Sequence, residues 1–464
     1  MIYCHNSKIK IKQETKLWLQ KILHERISCF LNLNLIDDIK EKHWVIRKNN
    51  DNKFLRIKFF DDFFELNKRN SLSSSLIEIP KKYNAFSDTK YFHGPGLKED
   101  TFLKISIEEN YFSINYDIIG LIFWVLTRLE EVKPTFDSLD KHKRFKGHAS
   151  HAYKYGYIDR PIVDEWLSVL SLIIKEIWPD LETINRKFRL IPTHDVDSPS
   201  KYEFTNKKRF LGRLLKSVLS TRSFIPIKNS LKARYFSKNY LSNVDPYNNF
   251  DWLMQQSEKN GFQSHFYFIA KSFNKKYDAD YNIYNNKIIN LIKSIKKRNH
   301  ILGMHFSYDS YLDKEKINLE AKLLKNLFVQ ISSEKIDWQS RMHYLRWEWP
   351  ETAHILSENI IKSDSTLSYA DMAGFRCGTC IDFEMFNPIS QKLIGIRQYP
   401  LIVMDRSISS KSYQNLGLSE EAYNYARLLR KRCEDVNGNF ICLWHNNQVE
   451  TDEQKNFYSN LISL

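Results

Sequence analysis

Glycine is scarce in this chain, 13 among 464 residues. Neither GxGxxG nor GxxxxGK followed by Ser or Thr occurs, which removes the common Gly-rich ways of cradling a phosphate. Six cysteines in a chain this long make no disulfide framework. The apolar run at 118–126 falls well short of the roughly 20 residues that cross a bilayer, and Arg128, Glu130 and Glu131 follow at once. Residues 1–10 lack the apolar core of a signal peptide, so the expectation is a cytoplasmic protein with no transmembrane segment. Acidic residues are also short, 55 against 70 Lys and Arg, for a net charge of +15. The lysines are spread along the whole chain, so the charge reads as compositional bias and nucleic acid is not an expected partner. The densest cluster, 201–238 with Lys207, Lys208, Arg209, Arg213 and Lys216, reads as a solvated helical face able to guide an anionic ligand.

What is present suits a soluble globular protein of two or three domains, with 42% hydrophobic and 14% aromatic residues. Residues 1–185 read as a mixed α/β region. Strand-like alternation appears within 40–59, at Trp44-Val-Ile and Phe54-Leu-Arg-Ile-Lys-Phe. Residues 117–131 predict a helix, and another starts at Arg160-Pro161. This region shows no dense group of potential ligands. After Pro179, short apolar runs alternate with helical patterns, the mark of repeated βα units. Strands are expected at 188–193, 265–269, 301–305, 342–345, 396–404 and 440–445, and helices at 252–260, 286–298, 314–328 and 420–434. With 366–369 the strand count is about seven, which favours a closed or nearly closed β/α barrel over 186–464. Residues 200–248 form a basic, polar insertion after its first strand.

Catalytic residues of a β/α barrel lie at the carboxyl ends of its strands, and metal-capable side chains recur there. The first strand ends Thr193-His-Asp-Val-Asp, so Asp195 and Asp197 point the same way on an extended chain. Paired carboxylates suit a divalent metal plus a general base. Later strands offer His305 and Asp309, then Arg341, His343 and Arg346, then Asp364, and finally His445. Trp444, Trp347 and Tyr308 read more as core packing than as sugar platforms. Cys377-Gly-Thr-Cys380 reads as loop cysteines rather than a redox pair or zinc knuckle, and Arg376 beside it is a candidate substrate contact.

THDVD, GMHFSYDS, RMHYLRW, SDSTLSYAD with GFRCGTC, and LWHN occur in the order found in the NodB-homology polysaccharide deacetylases, carbohydrate esterase family four. The chain resembles a divergent branch with an HDVD first motif and an extra amino-terminal domain of unassigned role. The resemblance implies a distorted (β/α)7-type, NodB-like barrel, preceded here by a mixed α/β domain at 1–185. It also implies a divalent metal, most often Zn2+, and hydrolysis of an N-acetyl or O-acyl group on an acetylated sugar or polysaccharide precursor. Carried over, Asp195 matches the general base, His305 a metal ligand, His445 the late catalytic histidine and Asp364 a carboxylate that tunes the site. Val196 separates the two acids, so Asp197 becomes the metal-binding one, with exchange of the two roles left open. Asp309 stands where a second metal histidine is expected. Asp309, His343 or His194 then completes the metal set, with His343 favoured, and Arg341 or Arg346 orients Asp195. The replaced histidine supports an alternative, a deacetylase-like protein that has lost efficient hydrolysis and serves as a carbohydrate-binding or interaction module.

Overall fold

A computed structural model describes residues 11–27, 33–38, 42–108, 111–182, 185–332, 337–359 and 361–463. The readings made at residues 1–10 and at Lys40 lie outside these. Helix α1 (Gln13–Ile27) buries Trp18, Leu19, Ile22 and Leu23, which helical periodicity places on one face. Strands β1 (Leu33–Asp38), β2 (His43–Lys48) and β3 (Phe54–Lys58) form an antiparallel meander. Strands β4 (Ser74–Glu78), β5 (Tyr91–Pro95) and β6 (Thr101–Phe102) make a separate three-stranded sheet. Strands β7 (Ile105–Ile107) and β8 (Tyr111–Ile114) return to the first sheet, where β8 pairs with β3 in parallel. Helix α2 (Ile118–Leu126) is buried at every position, and its Asp117 cap accepts from Gly120 N at 2.6 Å. It stops short of the predicted Glu131 because Arg128 turns left-handed at φ 49°, leaving 129–131 as a short 3-10 turn. Helices α3 (His151–Lys154) and α4 (Ile162–Ile177) follow, with Pro161 ahead of the first turn of α4.

The remainder is a mixed α/β array around a nine-stranded sheet. Strand β9 (Arg189–Val196) opens it. The insertion then contributes α5 (Lys207–Thr221) and α6 (Ile225–Leu231). Next come α7 (Phe250–Lys259), β10 (His265–Ile269), α8 (Asn286–Lys297), β11 (Ile301–Phe306), α9 (Lys314–Ile331) and β12 (Gln339–Met342). Helix α10 (Glu351–Glu358), β13 (Ser363–Asp364), β14 (Phe383–Asn387), β15 (Lys392–Gln398) and β16 (Val403–Met404) continue the chain. Helices α11 (Asp405–Ser409) and α12 (Glu420–Asp435), strand β17 (Asn439–Leu443) and helix α13 (Asp452–Ile462) complete it. The sheet order is β14-β15-β13-β12-β11-β10-β9-β17-β16, parallel except for the β14–β15 hairpin.

Chain length forces this sheet to curl. Strands β15 and β16 stand seven strand intervals apart, roughly 34 Å on a flat sheet at ~4.8 Å each. The link from Gln398 to Val403 spans at most about 18 Å when fully extended. Seven intervals therefore have to bend round until the edges approach, which gives a half-barrel. The continuous strand expected at 396–404 is two strands seven intervals apart in the sheet, split by Pro400, which has no N–H to give a ladder. The other departures are local. Tyr344 and Leu345 adopt left-handed conformations (φ 62° and 55°), ending β12 at Met342 instead of at 345. Residues 366–369 form no strand, their place in the sheet being taken by Ser363–Asp364.

The amino-terminal region and the sheet share one apolar core, which runs from Trp18 through Trp166 to Phe386 without a break at residue 185. Trp18 stacks on Phe386 at 4.8 Å, and its Nε1 donates to Glu384 O, so α1 covers the β14 edge. Buried charges cross the same seam. Arg376 donates to both oxygens of Glu131 at 3.0 and 2.6 Å, and Arg128 donates to Glu131 Oε1. Burial works against the Glu131 charge, but the two guanidiniums outweigh it and hold the carboxyl down at about 2. Arg376 is thus a core residue, not a substrate contact. Removing one partner of a buried ion pair typically costs about 3–5 kcal/mol. Arg376→Ala should therefore lower the unfolding free energy from urea titration by about 3–5 kcal/mol, more than replacement of the exposed Arg427.

Candidate metal and acid–base centre

The carboxyl ends of β9, β11, β12, β16 and β17 meet at one end of the half-barrel, around an open cavity of about 730 Å³. Asp195 and Asp197 both project into it, as alternation along β9 requires. His194, just before Asp195, points away and is held by Trp444 O at 2.7 Å and Ser264 Oγ. His305, at the end of β11, brings Nε2 within 3.3 Å of Asp197 Oδ1 and 3.5 Å of Asp195 Oδ2. The left-handed turn after β12 swings His343 inward, so that its Nε2 lies 3.5 Å from Asp197 Oδ2. His445, just beyond β17, places Nε2 at the same distance from that oxygen.

The outer nitrogen of each ring has a fixed partner, which sets its tautomer. His305 Nδ1 is 2.9 Å from Arg341 O, a carbonyl that can only accept, so Nδ1 carries the proton and Nε2 presents a lone pair. His343 Nδ1 lies 3.0 Å from Asp278 Oδ1, and His445 Nδ1 lies 2.9 Å from both oxygens of Asp405. Asp278 also accepts from Tyr308 N, Phe273 N and Asn274 N, so its orientation is rigid. Burial opposes charge on His343, yet Asp197 and Asp278 raise its pKa to about 10. Burial likewise opposes the His445 charge, and Asp405 more than the two inner carboxylates raises it to about 9. Asp197 is held well below the carboxylate range despite burial, chiefly by the charge on His343.

This donor set fits a divalent cation. One atom each from Asp197, His305 and His343 lie within 4.8 Å of one another. Asp197 Oδ1 and His305 Nε2 are buried with no hydrogen-bond partner, an arrangement that is costly unless something else binds there. Carboxylate oxygen and imidazole nitrogen are ligands zinc accepts, and an ion there would displace the extra proton from His343.

Among the residues singled out from sequence, Asp195, Asp197, His305, His343 and His445 line the cavity. Arg341 stands fully buried behind Asp195, donating to its Oδ1 and to Thr193 Oγ1, both at 2.9 Å. Three others do not reach it. Asp309 is turned to Asn274 and Arg346. Arg346 is spent on His142 O and Tyr308 O and stacks on Tyr311 at 3.9 Å. Asp364 lies on a different cavity beside Gln339 and Tyr399, bonded to Ser340 and Thr366. Burial raises its pKa to about 6. Trp444 and Trp347 are core side chains, and Cys377 and Cys380 are buried free thiols.

Sequence reasoning missed Asp405 and Asp278. Asp405 follows β16 directly, at the end of the strand expected over 396–404, so it carried the same strand-end signal as the residues that were singled out. Asp278 sits in the loop after β10 and gave no such signal. The amino-terminal region, read as having no dense group of potential ligands, supplies a wall of the cavity from Asp140 to His148. Arg144 anchors that wall by donating to Tyr344 O at 2.8 Å, and His148 and Gly147 N both bond Asp371.

Comparison with known proteins adds little to this geometry. A family described as "Family of unknown function (DUF7033)" matches residues 1–179. No protein of curated function matches the chain. A solved structure titled "Crystal structure of putative polysaccharide deacetylase from Mycobacterium smegmatis" is similar over 61% of this chain and 84% of its own, at 13% identity and a TM-score of 0.39.

The geometry separates true ligands from near neighbours. Elemental analysis after zinc loading should give about one ion per chain, lost in Asp197→Ala, His305→Ala and His343→Ala. Asp309→Ala and Asp364→Ala should retain it; loss in these instead would move the ion elsewhere.

Proposed function

We propose that the protein is a metal-dependent hydrolase that removes an N-acetyl or O-acyl group from a carbohydrate, a precursor of surface polysaccharide. The observation that carries this reading is the pairing of two oriented proton carriers across the ligand set. Asp195 is fixed by Arg341 on one side, and His445 is fixed by Asp405 on the other. Asp197, His305 and His343 would hold the ion, for which we propose zinc. Bound there, it would supply Lewis-acid polarisation of an acyl carbonyl and a more acidic water.

The chain's own groups account for the rest. Arg341 occupies Oδ1 of Asp195, leaving Oδ2 as the atom that takes a proton from the attacking water. His445 keeps its Nδ1 proton on Asp405, so Nε2 is the atom that delivers a proton to the leaving nitrogen or oxygen. Tyr277, Tyr344 and Tyr413 line the open side, and their faces and hydroxyls suit a sugar ring.

Acetate release from a panel of N-acetylated sugars by the zinc-loaded protein tests this reading. Asp195→Asn and His445→Ala should each lower kcat by about 10²–10⁴ while keeping the ion. Sugar binding without release by the wild type would instead favour the binding-module alternative. A pH profile adds an independent check. The raised pKa of His445 means that its protonated form is lost as pH rises through that value. Asp405→Asn removes the main cause, so the basic limb of kcat should move to lower pH.

A further inference from the structure

Between residues 207 and 240 the chain carries ten Lys and Arg and no Asp or Glu. The same stretch holds ten of the molecule's large exposed apolar side chains. On α5, Leu211, Leu215 and Leu219 form a stripe at i, i+4 and i+8, exposed by 61%, 61% and 68%. Phe224, at the turn into α6, is 80% exposed, and Phe236 is 77% exposed. The inward side is pinned by small and polar contacts. Ser217, Ser230 and Ala233 are buried, Tyr202 donates to Ser217, and Arg234 bonds Tyr202 O and Thr205 O. The apolar face is therefore turned outward by a fixed anchorage rather than left over from loose packing.

Most of the cations are turned outward too. Arg209 pairs with Asp280 and Arg213 bonds Lys201 O, but Lys208, Lys216, Arg222, Lys228 and Lys232 have no ion pair among the described residues. A surface both apolar and strongly cationic selects its occupant. A second copy of this chain would bring like charge against it. Nucleic acid would satisfy the cations, but leucine and phenylalanine on the same face would gain nothing from phosphate. An anionic bilayer satisfies both, with phosphate headgroups for the cations and the acyl boundary for the leucines.

We propose that the α5–α6 hairpin is a peripheral membrane-docking surface for anionic phospholipid. The insertion leaves β9 beside Ser198, a residue of the cavity wall, so docking would hold the protein at a lipid surface through a segment rooted at the candidate site.

Sedimentation of the full chain with vesicles tests this without any activity readout, so its failure leaves the hydrolase reading standing. Vesicles of phosphatidylglycerol and phosphatidylcholine should bind the protein, and vesicles of phosphatidylcholine alone should bind it far less. The triple variant Leu211→Ser/Leu215→Ser/Leu219→Ser should bind roughly tenfold more weakly, as should Lys208→Glu/Lys216→Glu. All five positions are exposed, so the thermal melts should match wild type. Three results would each overturn the proposal: no binding to anionic vesicles; leucine replacements that leave vesicle and duplex-DNA binding alike unchanged; or a lipid-free dimer that the leucine replacements dissolve.

Discussion

A carboxylate taken out of water loses several kcal/mol of hydration unless opposite charge or hydrogen bonds replace it. Asp195 and Asp197 impose that demand together, two residues apart on one strand end, with side chains 3% and 25% exposed. The two are served differently. Asp195 receives a permanent charge through a hydrogen bond from Arg341, which also fixes which oxygen remains for chemistry. Asp197 receives imidazoles, whose charge depends on protons. A site that balances one acid with arginine and the other with histidines makes the first a positioned base and the second a place where a proton and a metal ion compete.

The remaining geometry follows from holding those imidazoles still. Each ring has its outer nitrogen bonded to a carbonyl or carboxylate from a different element: Arg341 O on β12, Asp278 after β10 and Asp405 after β16. These partners converge because the sheet curls, and the sheet curls because a short link joins β15 to β16, seven strand intervals away. The amino-terminal region belongs to this arrangement. It covers the β14 edge, shares the core and sends the 140–148 segment to the cavity, so the site is assembled across the boundary read from sequence at residue 185.

What could be read in advance was local or periodic. Apolar runs at 265–269 and 301–305 fall within strands β10 and β11, and four predicted helices lie within a few residues of α7, α8, α9 and α12. Alternation alone put Asp195 and Asp197 on one face. The failures share a cause, since sequence order conceals which neighbour a side chain meets. Asp364 and Arg346 sat at plausible strand ends, yet one faces a different cavity and the other is held by backbone carbonyls near Tyr311. Asp278 came to His343 across 65 residues of chain, a pairing no local pattern encodes.

The insertion shows the same limit from the other side. Its charge was plain in the sequence and it was read as a solvated face, while its leucines at i, i+4 and i+8 make an apolar stripe on that helix. A second stripe lies one residue earlier, at Phe210, Leu214 and Val218, and it is this one that turns inward and becomes half-buried. Two adjacent apolar stripes give a helix more hydrophobic surface than one side of a small hairpin can cover. Burying a leucine side chain is worth about 1.5–3 kcal/mol, so three left in water form a standing driving force toward any apolar phase the surrounding cations can approach. Periodicity identifies such a helix as amphipathic, but which stripe faces the protein is decided by the anchors at Ser217, Ser230 and Arg234, whose partners lie elsewhere in the fold.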